Sequence, residues 1–382
     1  MSINQIGAYG DWAATLSGNK PGSLSLRNGK FNNLDDWRAE AKAKVLECLS
    51  PPPMPSLPEI TVESSEVINE LRIEKLSWQL PYGPRTEAIY LKLEGASQKE
   101  LPGVLALHDH GGLKYFGWQK IAQTSQPTHP IIIKHRAECY GGLAWANELA
   151  RRGYAVLVPD CFTFGSRRVK LSDVPPAISQ GLTDPDGDDP TDQINAYNRW
   201  AGGHESIMAK SLFSAGTSWP GVTLRDDQVS LSILESLPGV DSTRLGCGGL
   251  SGGGVRTVYL AGLDERIKSC FCAGFMTTWR DQLLNKSHTH TWMTFAPHLP
   301  HLMDFAEILG LRAPMPVMVV HCTSDPLFTN EEVEVCRKQL EEVYAIANAP
   351  EAFKHSNYPG GHQLNAAMQK DVFNWLDRWL KW

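Results

Sequence analysis

Three residues far apart in the chain have the types, and the order, that acyl-transfer chemistry needs. Ser251 lies in Cys247-Gly-Gly-Leu-Ser251-Gly-Gly-Gly254, between a strand-like run, Arg244 to Gly248, and a helix-like run, Val255 to Leu263. A serine on a sharp strand-to-helix turn is held in strained backbone geometry, and the glycines two before and two after let the chain fold back tightly. The N–H of Gly252 would open the following helix and face the place where a tetrahedral oxyanion forms. Asp325 follows an apolar run, Val317 to Cys322, and His362 follows Phe353 to His355 and precedes the last helix. A serine hydroxyl is a weak nucleophile until an imidazole accepts its proton, and a carboxylate fixes that imidazole's tautomer. The order Ser251, Asp325, His362 suits nucleophile, acid and base.

The loop His108-Asp-His110-Gly-Gly112 follows the short apolar run Val104 to Leu107. It is the expected source of a second oxyanion donor, the N–H of His110, with Gly111 as the alternate, while His108 suits holding loops by hydrogen bonds. Asp281, Asp304 and Glu307 are rival acids, Asp281 first among them. His288, His290, His298 and His301 lack the compact carboxylate or cysteine set of a metal centre. The run Asp184 to Asp192 lacks the glycine and glutamate that a calcium loop places at its sixth and twelfth positions. Neither a metal nor a cofactor is therefore expected.

The elements that must position these residues alternate. Leu34 to Leu49 has helical spacing, the proline cluster at 51–55 reads as a connector, and Leu71 to Gln79 with Thr86 to Leu93 reads as an antiparallel hairpin at a sheet edge. Beyond Leu101, strands at Val104, Tyr154, Arg244, Ile267, Val317 and Phe353 alternate with helices at Leu143, Asp226, Val255, Asn330 and Asn365. That rhythm gives an α/β fold, a mostly parallel sheet with helices on both faces, whose ligands bind at the carboxyl ends of the strands. Lys114–Tyr140, Phe162–Pro220 and Met276–Arg312 interrupt it, are rich in aromatics, and should form a lid around Ser251. Residues 1–100 read as an N-terminal extension packed on a catalytic domain at 101–382.

The chain has 382 residues, a formal net charge of −6 and 42% apolar residues, the profile of an ordinary globular protein with no basic patch for nucleic acid or membrane. Its eight cysteines are scattered, without metal-type or disulfide-type spacing, and fit buried thiols in a reducing compartment. Met1 to Lys20 has no basic stretch followed by an apolar one, so the expectation is a cytoplasmic protein. The composition is compatible with a homo-oligomer.

His108-Asp-His-Gly-Gly, Tyr140-Gly-Gly, Ala146-Asn-Glu-Leu-Ala-Arg-Arg-Gly-Tyr, Val158-Pro-Asp, Trp219-Pro-Gly and Gly249-Leu-Ser-Gly-Gly-Gly together resemble the bacterial acetyl xylan esterase-like and dienelactone hydrolase-like α/β-hydrolases. The resemblance covers roughly Leu101 to the C-terminus. It implies a cofactor-free serine esterase of small acyl esters on carbohydrates or small molecules, with Ser251 as nucleophile, Asp325 as acid and His362 as base. Dienelactone hydrolases carry a cysteine where this chain has Ser251, so their activity is not implied. Two other readings stand beside it, a prolyl-oligopeptidase-like peptidase and a non-catalytic binding protein on the same fold.

Overall fold

The computed structural model describes residues 3–17, 21–31, 33–95, 100–187 and 190–381. Two helices come first, α1 (Gly10–Ser17) and α2 (Leu34–Leu49). The 3.6-residue period of α2 buries Trp37, Ala41, Val45 and Leu49 on one stripe, and the Asn33 side chain caps its first turn by accepting from the Asp36 N–H. Three antiparallel strands follow, β1 (Thr61–Ile68), β2 (Leu71–Trp78) and β3 (Thr86–Leu93). The sequence marked β2 and β3 as an edge hairpin; the edge itself is β1, whose residues Thr-Val-Glu-Ser-Ser-Glu-Val-Ile are mostly exposed and lack apolar alternation.

The remaining strands are β4 (Leu101–Leu107), β5 (Ala155–Pro159), β6 (Val240–Leu250), β7 (Ile267–Ala273), β8 (Val317–Cys322) and β9 (Phe353–Tyr358). Together the strands make one nine-stranded sheet in the order β1-β2-β3-β5-β4-β6-β7-β8-β9, and every pairing from β5 to β9 is parallel. The order reverses around β4, so the loops after β4 and β6 open side by side. Strand residues alternate between two cores, Leu105 and Leu107 facing one and Val104 and Ala106 the other.

Between β4 and β5 lie α3 (Pro130–Tyr140) and α4 (Trp145–Arg151), and between β5 and β6 lie α5 (Pro176–Ser179), α6 (Thr191–Ser214) and α7 (Trp219–Ser236). The helix α8 (Gly252–Leu263) leaves β6; α9 (Trp279–Asp281) and α10 (Phe305–Gly310) follow β7, α11 (Asn330–Ile346) follows β8, and α12 (Ala366–Leu380) closes the chain. The helices α2, α7, α8, α10 and α11 cover one face, and α4 and α12 cover the other. Sequence periodicity placed the start of α7 at Asp226; it begins at Trp219, because Pro220 at the first turn needs no N–H acceptor and Ser218 caps the turn by accepting from the Gly221 N–H. Of the Asp184 to Asp192 run, Asp188 and Asp189 lie outside the described residues, and Asp184 accepts from the N–H groups of Leu171 and Ser172.

Candidate active site

Ser251 stands at the turn from β6 into α8 with φ 58° and ψ −115°, a conformation that a non-glycine residue adopts only under constraint. The constraint is visible in its neighbours. A Cβ on Gly249 or on Gly253 would come within 2.1 Å of the Leu107 carbonyl oxygen, so only glycine lets the turn pack on β4. The Ser251 N–H donates to the Ala273 carbonyl at 2.8 Å, which anchors the turn to β7 as well.

His362 follows β9, and its Nδ1 lies 2.6 Å from Asp325 Oδ2. Asp325 is almost fully buried after β8, and its other oxygen accepts from the Leu327 N–H at 3.0 Å. With Nδ1 held by a carboxylate, the proton sits on Nδ1 and leaves Nε2 as the basic nitrogen. That Nε2 is buried with no hydrogen-bond partner, and His362 and Ser251 line one cavity of about 340 Å³. Asp281, the rival acid, is engaged elsewhere: it accepts from Thr277 Oγ1 at 2.7 Å, Thr329 Oγ1 at 2.6 Å and Asn285 Nδ2 at 3.0 Å. Glu307 accepts from Ser25 and Arg27, and Asp304 from the Trp279 N–H and Gln339, so neither reaches His362 through these bonds.

The loop after β4 lies against the elbow. A Cβ on Gly252 would sit 2.8 Å from the His110 backbone nitrogen, so the two N–H groups expected to hold an oxyanion are neighbours. As the first residue of α8, Gly252 has no intrahelical acceptor for its N–H. His108 does hold loops together: its Nε2 accepts from the Cys161 N–H at 3.3 Å, and its Nδ1 is 2.9 Å from the Asp109 carbonyl. Arg256 on α8 pairs bidentately with Asp227 on α7, at 2.6 and 3.0 Å, and its Nη1 reaches the His108 carbonyl at 3.4 Å.

Glu205 was not legible as a site residue, because nothing in the α6 sequence sets it apart from a solvated helix glutamate. In the fold it is buried and joins the lid to the oxyanion loop. Its carboxylate lies 2.7 Å from His110 Nε2 and 2.7 Å from Lys114 Nζ, and accepts from Thr291 Oγ1 at 3.0 Å. Burial works to raise its pKa, but His110 and Lys114 outweigh burial and hold it well below the usual carboxylate range. His110 Nδ1 accepts from the Gly112 N–H at 3.0 Å, so a proton is on Nε2 and points at Glu205; burial, the largest influence, lowers the ring's pKa. Lys120 is buried beneath the loop and donates to the carbonyls of Asp109 and His110, both at 2.8 Å, which fixes the two peptide planes that meet at His110, one of them carrying its N–H. Burial, the largest influence, lowers its pKa to about 8.

The lid supplies the other wall. His288 to Thr291, Thr294, Leu327 and Phe328 line the cavity with Gly202 of α6. His290 therefore faces the cavity rather than a metal cluster, and no group of three or more ligating side chains occurs among the described residues. The imidazole Nδ1 is 3.0 Å from the Lys286 carbonyl, and burial lowers its pKa to about 4. Among the described residues no helix is long and apolar enough to cross a membrane.

No family model matches the chain. YtaP of Bacillus subtilis, which carries a provisional hydrolase name, is 24% identical over 348 residues, covering 90% of this chain and all of that protein. A Bacteroides fragilis structure, provisionally described as an acetyl xylan esterase, superposes with a TM-score of 0.66 at 15% identity, over 90% of this chain and 80% of that one. A glucuronoyl esterase from Solibacter usitatus superposes with a TM-score of 0.62 at 14% identity, over 94% of this chain and 96% of that one. Strand order, the glycine-flanked turn at Ser251 and these likenesses together identify the chain as having the α/β-hydrolase fold.

Proposed function

We propose that the protein is a serine carboxylester hydrolase working through an acyl-enzyme, on small acyl esters of carbohydrates or small molecules. The observation that carries this reading is the meeting, in one cavity, of a strained serine and a histidine whose Nδ1 is held by a buried carboxylate. Ser251 Oγ attacks the ester carbonyl carbon while His362 Nε2 takes its proton, and Asp325 stabilises the imidazolium that results. The N–H groups of Gly252 and His110 receive the negative charge on the carbonyl oxygen. His362 then protonates the departing alkoxide, leaving an acyl group on Ser251. Water attacks that acyl group, again giving a proton to His362; the acyl–Oγ bond then breaks, His362 returns the proton to Ser251 Oγ, and the acid is released.

The substrate class is argued from the similar structures and from the size of the cavity. The similar structures are named for acetyl xylan and glucuronoyl esters, which are carbohydrate esters. A cavity of about 340 Å³ accommodates a small acyl group with part of its alcohol. The eight cysteines are all unpaired, six of them buried, which supports a reducing compartment and hence the cytoplasm.

Hydrolysis of p-nitrophenyl acetate tests the machinery. Ser251→Ala and His362→Ala should each lower kcat by on the order of 10⁵ to 10⁶, and Asp325→Ala by on the order of 10⁴. Asp281→Asn should keep kcat within about tenfold of wild type, since its bonds go to Thr277, Thr329 and Asn285. An Asp325→Ala enzyme with unchanged kcat would place the acid elsewhere. Peptide cleavage without ester cleavage would replace the esterase reading with the peptidase one.

A further inference from the structure

Lys120 brings a buried ammonium group to the loop after β4, where its direct partners are two carbonyls and a ring. Its Nζ donates at 2.8 Å to the carbonyl of Asp109 and at 2.8 Å to the carbonyl of His110, and it lies 4.5 Å from the centre of the Phe164 ring. The buried carboxylates of this region are held elsewhere. Asp109 is bound by His135 and the Tyr140 hydroxyl, Glu205 by His110 and Lys114, and Asp160 by the N–H groups of Trp118 and Ser166. Burying a cation is costly, and here carbonyl oxygens offset that cost. Burial lowers the Lys120 pKa only to about 8, so the group remains cationic at neutral pH.

Each of those carbonyls shares a peptide group with a candidate oxyanion donor. The Asp109 carbonyl belongs to the peptide that carries the His110 N–H, and the His110 carbonyl to the one that carries the Gly111 N–H. Both peptides are trans, so each N–H points away from the ammonium. The His110 nitrogen lies on the elbow side, 2.8 Å from where a Cβ on Gly252 would sit, and His110 and Gly111 both line the catalytic cavity. Among the described residues neither N–H has an acceptor, whereas the next one along, that of Gly112, is engaged by His110 Nδ1. A cation on a carbonyl oxygen draws electrons through the amide, and hydrogen bonds linked in such a chain strengthen one another.

We propose that Lys120 is a positioning residue of the oxyanion hole, whose charge, relayed through the two peptide groups it grips, strengthens the N–H groups of His110 and Gly111 as donors to the developing oxyanion. The inference rests on the esterase reading of Ser251. As Ser251 Oγ bonds to the ester carbon, the π pair of the carbonyl moves onto its oxygen and the Ser251 proton passes to His362 Nε2. Negative charge then grows opposite the ammonium, with one planar amide between them. The ground-state ester presents only a dipole there. The benefit is therefore larger in the transition state, and it appears in kcat more than in KM.

The test uses Lys120→Gln, which keeps N–H donors without the charge, and Lys120→Met, which removes both. Urea unfolding and near-ultraviolet circular dichroism establish that each variant is folded, and Lys120→Gln carries the test alone should Lys120→Met aggregate. With p-nitrophenyl acetate each should lose roughly tenfold to a hundredfold in kcat while KM stays within about threefold of wild type. Inhibition by trifluoroacetone reads the oxyanion site apart from stability, because Ser251 adds to its carbonyl carbon and the hemiketal oxygen takes the oxyanion's place. Its Ki should rise by about the factor that kcat falls. Wild-type kcat in a folded variant, a loss confined to KM, or an unaltered Ki would overturn the proposal. If the wild-type protein neither cleaves the ester nor takes a fluorophosphonate label on Ser251, the esterase reading fails and this inference falls with it. Wild-type activity with indifferent Lys120 variants removes this inference alone.

Discussion

At the scale of single residues, the charged groups around the oxyanion loop are matched to one another rather than to solvent. Lys114 is buried over the rings of Phe164, at 4.2 Å, and Trp219, at 4.9 Å, and its anionic partner is Glu205. Replacing Glu205 by glutamine keeps the shape, removes the charge and leaves Lys114 buried beside neutral groups. The expected cost is about 3 kcal/mol of stability, read from urea unfolding. It should also lower kcat for p-nitrophenyl acetate by roughly tenfold, because the His110 side chain loses its charged partner, while Lys120 still holds the His110 carbonyl. Equal stability and rate in Glu205→Gln would show that the carboxylate is a bystander. None of this was readable in the sequence, where Lys114 and Glu205 are 91 positions apart and each resembles an ordinary surface residue. Ser251, Asp325 and His362 were readable because each sits where a strand ends, a position that apolar runs reveal.

At the scale of elements, α3 shows what the interruptions hide. Lys114–Tyr140 reads as loop, yet Pro130–Tyr140 is a helix that delivers His135 and Tyr140 to the carboxylate of Asp109, at 3.1 and 2.6 Å. Its apolar residues cluster as Ile131, Ile132 and Ile133 instead of recurring every turn, so helical periodicity gives no signal. The long helix α6 is missed for a related reason, since its buried face mixes Asn198, His204 and Glu205 with Ile194, Tyr197 and Trp200. The His135–Asp109 pair also predicts a pH dependence. Burial tends to lower the His135 pKa, but Asp109 overrides it and raises it to about 10, against about 6.5 for an unfolded chain. The folded state therefore binds the extra proton between those values. The stabilisation is complete below about pH 6.5 and is lost as pH rises toward 10, with a slope of at most about 1.4 kcal/mol per unit. Thermal unfolding from pH 6 to 10 should show His135→Gln losing less stability than wild type over that window. Parallel pH profiles for the two proteins would refute the pairing.

At the scale of the whole molecule, the N-terminal hundred residues share the sheet with the strands that carry the site. Ala88 to Leu91 of β3 pair with Pro159 to Val156 of β5, and Trp37 of α2 is buried with its indole N–H donating to the Leu24 carbonyl at 2.8 Å. A chain beginning at residue 101 would expose the edge of β5 and uncover the core beneath α2, and it should be recovered as aggregate. A soluble, monodisperse 101–382 protein that still hydrolyses p-nitrophenyl acetate would show instead that the first hundred residues are dispensable. The positions of Ser251 and His362 depend on the sheet as a unit, since one follows β6 and the other β9, three strands away across β7 and β8. Whether that sheet assembles a working nucleophile is tested most directly by intact-protein and peptide mass spectrometry after treatment with a fluorophosphonate. The account predicts one adduct, on the peptide containing Ser251, absent in Ser251→Ala and strongly slowed in His362→Ala. No adduct on the folded wild-type protein, or one that persists in Ser251→Ala, would contradict it.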